Sequence, residues 1–192
     1  MIRLFSTLIL SAMVGFAFSP LADNVETVSI NTEESVIEWK AYKVTGKHNG
    51  TVKIQNGNLE MEDGKLVGGS FDIDMTSITV DDLEGGSKAK LEGHLKSADF
   101  FNVEEFNQAK FVITRVISRG QPGDYKIEGD LTIKGISKPI KFNTMMKDNV
   151  AEASITIDRT DFNVRYGSGT FFENLGDKTI YDDFDLNIKL VI

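Results

Sequence analysis

With 192 residues the chain has the length of one ordinary domain, enough to bury a proper core. It carries 29 acidic against 21 basic side chains, a formal charge of −8, and no cysteine. That balance argues against nucleic-acid binding and against docking on anionic lipid surfaces, both of which depend on Lys and Arg, and the missing cysteines leave packing rather than disulfides as the source of stability.

In chain order, the first feature is a secretory signal peptide, expected over residues 1–22. Met1-Ile2-Arg3 leads into an apolar and small stretch from Leu4 to Phe18, followed by Ser19-Pro20-Leu21-Ala22 and then Asp23. A spanning helix needs about 20 apolar residues and flanking cations, whereas the segment after Asp23 is acidic. Cleavage after Ala22 removes Arg3 alone and takes the charge to −9. The expected product is a single domain, 23–192, released to the periplasm or secreted, with no stable membrane insertion and no cysteine to carry a lipid anchor.

From Val25 onward the dominant signal is period-2 alternation, which marks strands with one buried and one wet face. It is cleanest in Tyr125–Ile133, Ala151–Asp158 and Phe184–Leu190, and weaker over 36–44, 52–55, 59–62, 65–76, 110–117 and 138–146. About eight to ten strands are expected. Asn56-Gly57, Asp63-Gly64, Pro122-Gly123-Asp124 and Asp148-Asn149 supply turn chemistry between them, so an antiparallel meander is the simplest topology. Alternation stops over 81–107, where Leu91, Leu95 and Ala98 fall at helical spacing and predict a short helix at about 87–97. A second interruption, 161–182, rich in Gly and aromatics, reads as a long loop.

One-faced strands must pack on a second sheet or close on themselves, and both solutions fit the pattern; closure has the advantage of leaving no exposed edge. The expected inward set includes Trp39, Tyr42, Phe71, Phe111, Tyr125, Phe142, Met146 and Phe184. An apolar void of ~300 Å³ inside such a wall would cost on the order of 7 kcal/mol if left empty, and a lipid tail would fill it well. The only histidines are His48 and His94, so no metal spacing and no cofactor motif is present in the sequence. Asp158, Arg159, Asp161 and Arg165 read as a charge-paired group that stabilises a turn, since no nucleophile or general base stands at a recognisable spacing from them. No enzymatic activity is expected.

Three stretches together carry a family resemblance. They are His94-Leu95-Lys96-Ser97-Ala98-Asp99-Phe100-Phe101-Asn102-Val103 with the following Phe106 and Ala109-Lys110-Phe111; Gly129–Ile140; and Ile155-Thr156-Ile157-Asp158-Arg159-Thr160-Asp161-Phe162-Asn163-Val164-Arg165-Tyr166-Gly167. With the opening Ser35-Val36-Ile37-Glu38-Trp39, the chain resembles the YceI-like family of exported lipid-binding proteins over residues 28–191. Asn107 stands where that family commonly has Pro, and Asn163 where it commonly has Gly.

The resemblance implies an all-β, extended, lipocalin-like antiparallel barrel of about eight strands with one short helix. Its interior would hold a long-chain apolar lipid, a polyisoprenoid or a fatty-acid amide, in the periplasm, without chemistry on it. The side chains expected around the ligand are Trp39, Phe71, Phe100, Phe101, Phe111, Leu131, Ile133, Phe142, Phe162 and Tyr166. Phe100 and Phe101, adjacent in a loop, can cap the same mouth. His94 and Asp99 read either as a polar end of the pocket or as groups that fix the helix end and its turn. The alternative function is a non-catalytic interaction protein of the cell envelope with a filled core, using its outer face or the 161–182 loop; a homodimer is left open.

Overall fold

Along β6 (Asp124–Ile133) the odd positions from Tyr125 to Ile133 are buried and the even ones half-buried or exposed. The same alternation shapes β7 (Ile136–Lys147) and β8 (Val150–Asp158), so each strand has one apolar face to hide. The computed structural model describes residues 24–192; the signal peptide expected at 1–22 lies outside the described residues.

The remaining strands are β1 (Val25–Ser29), β2 (Val36–Lys43), β3 (Gly46–Glu62), β4 (Lys65–Asp74), β5 (Gln108–Ser118) and β9 (Ile180–Val191), with one helix, α1 (Gly85–Lys96). From β2 to β9 every strand pairs antiparallel with its chain neighbours, and β9 returns to pair with β2. The sheet therefore closes as an eight-stranded up-and-down barrel, which resolves the choice between sandwich and barrel. β1 lies in line with β2 along the far half of β3.

Three two-residue turns have both residues at positive φ, as the twist of tight hairpins demands: Asp63-Gly64, Lys134-Gly135 and Asp148-Asn149. Lys134-Gly135 was not among the turns expected, and Asn56-Gly57, which was, is not a turn. It lies inside β3, just after a register shift between Ile54 and Asn56, where β3 bends away from β2 to follow β4. Gly57 is required there because a Cβ would stand 2.5 Å from the Phe71 ring.

The barrel has two unlike ends. One carries the Asp63-Gly64 and Asp148-Asn149 hairpins; the other carries Lys134-Gly135 and is covered by α1, the 97–107 turns and the segment 159–179. The helix begins two residues earlier than expected and stops at Lys96, where the Ser97 hydroxyl and N–H both donate to the His94 carbonyl. The 159–179 segment is not a plain loop. It contains short 3-10 turns at Arg159–Phe162 and Gly176–Lys178 and buries Phe162, Val164 and Ser168 completely or nearly so. Asn163 closes the first of these turns in the left-handed conformation, φ 58°, which Asn tolerates better than other side-chain-bearing residues.

Tyr42, expected inside, faces out. Trp39 and Ala41 hold the inward parity of β2, so Tyr42 falls on the outer row with Lys40, whose ammonium lies over its ring. Its hydroxyl donates to Asp185 Oδ2 at 2.7 Å, and Thr156 donates to Asp185 Oδ1 at 2.7 Å, which ties β2, β9 and β8 together on the surface. The hydrogen bonds from Thr156 and Tyr42 hold the Asp185 carboxyl below its ordinary pKa.

Two outcomes follow from this framework. A carboxylate with a depressed folded pKa stabilises the protein above the unfolded value of about 4, and the gain is lost as pH falls through the folded value. Urea melts between about pH 2 and 6 should show wild type ahead of Asp185→Asn at the upper end and the margin vanishing at the lower; a pH-independent margin would contradict the assignment. At Gly129 a Cβ would stand 2.5 Å from both the Phe111 ring and the Val112 carbonyl oxygen. Gly129→Val should therefore cost about 1–3 kcal/mol or more of unfolding free energy by denaturant titration, and an unchanged midpoint would contradict the packing.

Candidate functional site

Closing eight one-faced strands turns all their apolar rows toward a common axis, and the rows do not fill the space. A cavity of about 200 Å³ remains, walled by residues from every strand of the barrel and roofed at one end by the 97–101 turn. Aromatic rings form much of its wall. Phe71 on β4 stacks with Phe111 on β5 at 6.5 Å between centroids, and Phe111 meets Phe142 on β7 at 5.6 Å. Trp39 lines the cavity from β2 while its indole N–H donates to the Thr79 carbonyl at 3.1 Å, so its one polar atom is satisfied outside the apolar space.

Of the side chains singled out in the sequence, Leu131 and Ile133 on β6 line the cavity together with Trp39, Phe71, Phe111 and Phe142. Phe100 and Phe101 both reach it from one turn, with their rings 5.3 Å apart. Four others do not reach it. Phe162 is 1% exposed and packs beneath the 159–179 segment. Tyr166 is 46% exposed and sits edge-on to His94 at 4.4 Å. His94, on α1, also packs edge-on to Phe100 and so backs the roof rather than lining the cavity. Asp99 lies on the exposed side of its turn. His94 and Asp99 are not among the side chains that line the cavity; at the helix end it is the His94 backbone carbonyl that accepts from Ser97.

The charged group that does reach the cavity is Arg159, 3% exposed and placed where β8 gives way to the 3-10 turn. Three carbonyls receive its guanidinium: Nε donates to Tyr181 at 3.0 Å, Nη1 to Val164 at 2.8 Å and Nη2 to Ile180 at 3.0 Å. Nη2 also lies 3.2 Å from Asp182 Oδ1. Burial pushes the arginine pKa down, while the charges of Asp182 and Asp158 oppose that shift. A buried cation with this many acceptors is held rigidly, and it anchors the 159–179 segment to the start of β9.

Sequence parity contained a signal for Arg159, since it continues the inward odd positions Ile155 and Ile157. Its neighbours do not gather into one charged cluster. Asp158 instead caps the turn through the Thr160 N–H and hydroxyl, Asp161 pairs with Lys138 at 3.4 Å, and Arg165 lies over the Phe171 ring.

Chemically the cavity is a solvent for hydrocarbon. Besides Arg159 its polar lining is Thr144, whose hydroxyl donates to the Glu152 carbonyl at 2.8 Å, and Tyr181. Among the described residues no carboxylate or histidine lines it, and no group of three potential metal-ligating side chains occurs.

A family model for the YceI-like domain matches residues 28–192. A UPF0312 protein of Pseudomonas putida (strain W619) is 24% identical over 168 residues, which cover 82% of this chain and 81% of the relative. One from Shewanella baltica (strain OS155 / ATCC BAA-1091) is 29% identical over 143 residues, 70% of each chain. Among solved structures, BcnA of Burkholderia cenocepacia matches with a TM-score of 0.70 at 19% identity, covering 85% of this chain and 99% of its own. A polyisoprenoid binding domain from Saccharophagus degradans, implicated in plant cell wall breakdown, matches with a TM-score of 0.56 at 12% identity, covering 86% and 97%. At such identities the structures speak for the fold, while the family model spans nearly all of the described chain. The chain belongs to the YceI-like domain family.

Proposed function

We propose that this protein is a periplasmic carrier that holds the tail of a long-chain apolar lipid, polyisoprenoid or fatty-acid amide in kind, inside its barrel without transforming it. The observation that carries the reading is the cavity: about 200 Å³, apolar on every strand, under a roof of two phenylalanines. Left empty, a void of that size costs about 5 kcal/mol at ~24 cal/mol per Å³, the same order as the whole stability of a typical domain. Each methylene placed in it recovers ~0.8 kcal/mol before the costs of association. A barrel that keeps such a space gains by filling it.

Supporting the choice of ligand are the apolar lining and the likeness in fold to the polyisoprenoid binding domain from Saccharophagus degradans. Supporting the location is the signal-peptide pattern of residues 1–22. The absence of acid and base side chains from the lining favours binding over catalysis. The void also weighs against a filled-core interaction protein.

The test is to strip the mature protein of lipid and titrate it with cis-parinaric acid, a fluorescent long-chain polyene. Saturable uptake with a rise in melting temperature is expected. Ala41→Leu, which adds three carbons to the wall facing the void, should raise the melting temperature of the stripped protein and shrink the shift produced by the probe. If the core is instead filled, the same change overpacks it, lowers stability by about 1–3 kcal/mol and finds no probe effect to reduce.

A further inference from the structure

Buried side chains narrow both ends of the barrel. At the end with the Asp63-Gly64 hairpin Leu59, Leu66 and Tyr125 are 2, 6 and 8% exposed. At the other end Phe100, in the roof, and Leu95 are buried, and Val80 and Val164 are fully buried. The cavity, at about 200 Å³, is smaller than the ~300–1,000 Å³ usual for ligand pockets, so a long chain that occupies it needs the wall to yield.

The wall is weakest in one place. β7 and β8 pair only from Thr144 opposite Ala153 to Lys147 opposite Val150, four positions, whereas β6 and β7 pair over ten and β8 and β9 over nine. Beyond Thr144 the two strands part, and residues 136–143 of β7 and 154–158 of β8 have no strand partner across the gap among the described residues. Pro139, which has no N–H to give a neighbouring strand, stands on this stretch. Ile140 and Phe142 line the cavity from the same stretch yet are only half-buried, and Ile155 faces them from β8. The far end of the gap is bridged by Lys138 and Asp161, an exposed ion pair at 3.4 Å of the kind that contributes little, and beside it the Lys134 ammonium donates to the Asn163 carbonyl at 3.4 Å.

The other short seam, β4 with β5, pairs over five positions, but there the hydroxyl of Tyr125 fills in and accepts the Leu66 N–H at 3.4 Å. No comparable plug stands behind β7 and β8 among the described residues.

We propose that the gap between β7 and β8 is a lateral port through which the apolar chain enters and leaves, with Lys138 and Asp161 as its latch. The port rests on the carrier reading. Opening it breaks no ladder hydrogen bonds along residues 136–143, and the half-buried Ile140 and Phe142 give a hydrocarbon an apolar sill to cross.

The absence of native cysteine makes the test clean. Lys141→Cys with Thr156→Cys places two thiols on the outer face across the gap, in the register that the four paired positions would continue. Linking them with a reducible bis-maleimide should slow both uptake and release of cis-parinaric acid at least tenfold in the full mature protein, and reductant should restore the rates. The control pair, Lys126→Cys with Asn143→Cys, lies on directly paired positions of the β6–β7 seam, and its cross-link should leave the rates unchanged. Asp161→Asn, which removes the latch, should speed release severalfold at unchanged melting temperature. Unchanged rates in the linked β7–β8 protein, with normal binding before linking, overturn the port and leave the carrier reading intact. No binding by the unlinked protein overturns both.

Discussion

The pairing of β9 with β2 is the contact on which the other features depend. It joins the last strand of the chain to the first strand of the barrel over seven paired positions, from Val36 opposite Lys189 to Lys43 opposite Ile180. Without it the sheet would be an open ribbon with one apolar face in water and two free edges. With it, every inward row meets every other, and the only question left to the side chains is whether they fill the middle. Small residues on several inward positions, among them Ala41, Ala109 and Ala153, mean that the rings of Phe71, Phe111 and Phe142 do not close the space.

A barrel that is closed, capped and hollow trades stability for capacity. The cap is costly in polar groups, because the 159–179 segment crosses an apolar opening and its carbonyls must find donors. Arg159 serves one of them, Val164, and from the same buried side chain donates to Ile180 and Tyr181 at the start of β9, while Asp182 balances its charge. On the other side of the opening, the helix end at His94 to Ser97 and the Phe100-Phe101 turn complete the roof. With the ends fixed in this way, flexibility is left to the side wall, where β7 and β8 share the fewest paired positions of any neighbouring strands in the barrel.

Most of the architecture was legible in the sequence because parity on a strand is a strict rule. Tyr125–Ile133 and Phe184–Leu190 announce their inward faces residue by residue, and the order of strands follows from the short turns between them. Errors arose where parity bends or does not apply. Tyr42 was assigned inward although it stands three positions from Trp39, an odd separation that puts the two on opposite faces. Asn56-Gly57 has the composition of a turn, but its glycine makes room for Phe71 rather than reversing the chain. Phe162, Tyr166 and Asp99 lie in turns, where composition tells nothing of direction, so their distance from the cavity could not be read. Arg159 was readable, since it extends the inward parity of β8, but a charge at an inward position invites a surface explanation. The splayed seam had only Pro139 as its sign.

The central claim is that the hollow exists to hold a hydrocarbon chain. Native mass spectrometry of the protein purified from its own host, without detergent, followed by denaturation and identification of what is released, tests that claim most directly. The account predicts a one-to-one adduct of a long-chain apolar lipid that leaves on unfolding. A bare protein mass, from material that also gains no thermal stability from any long-chain lipid added back, would contradict it.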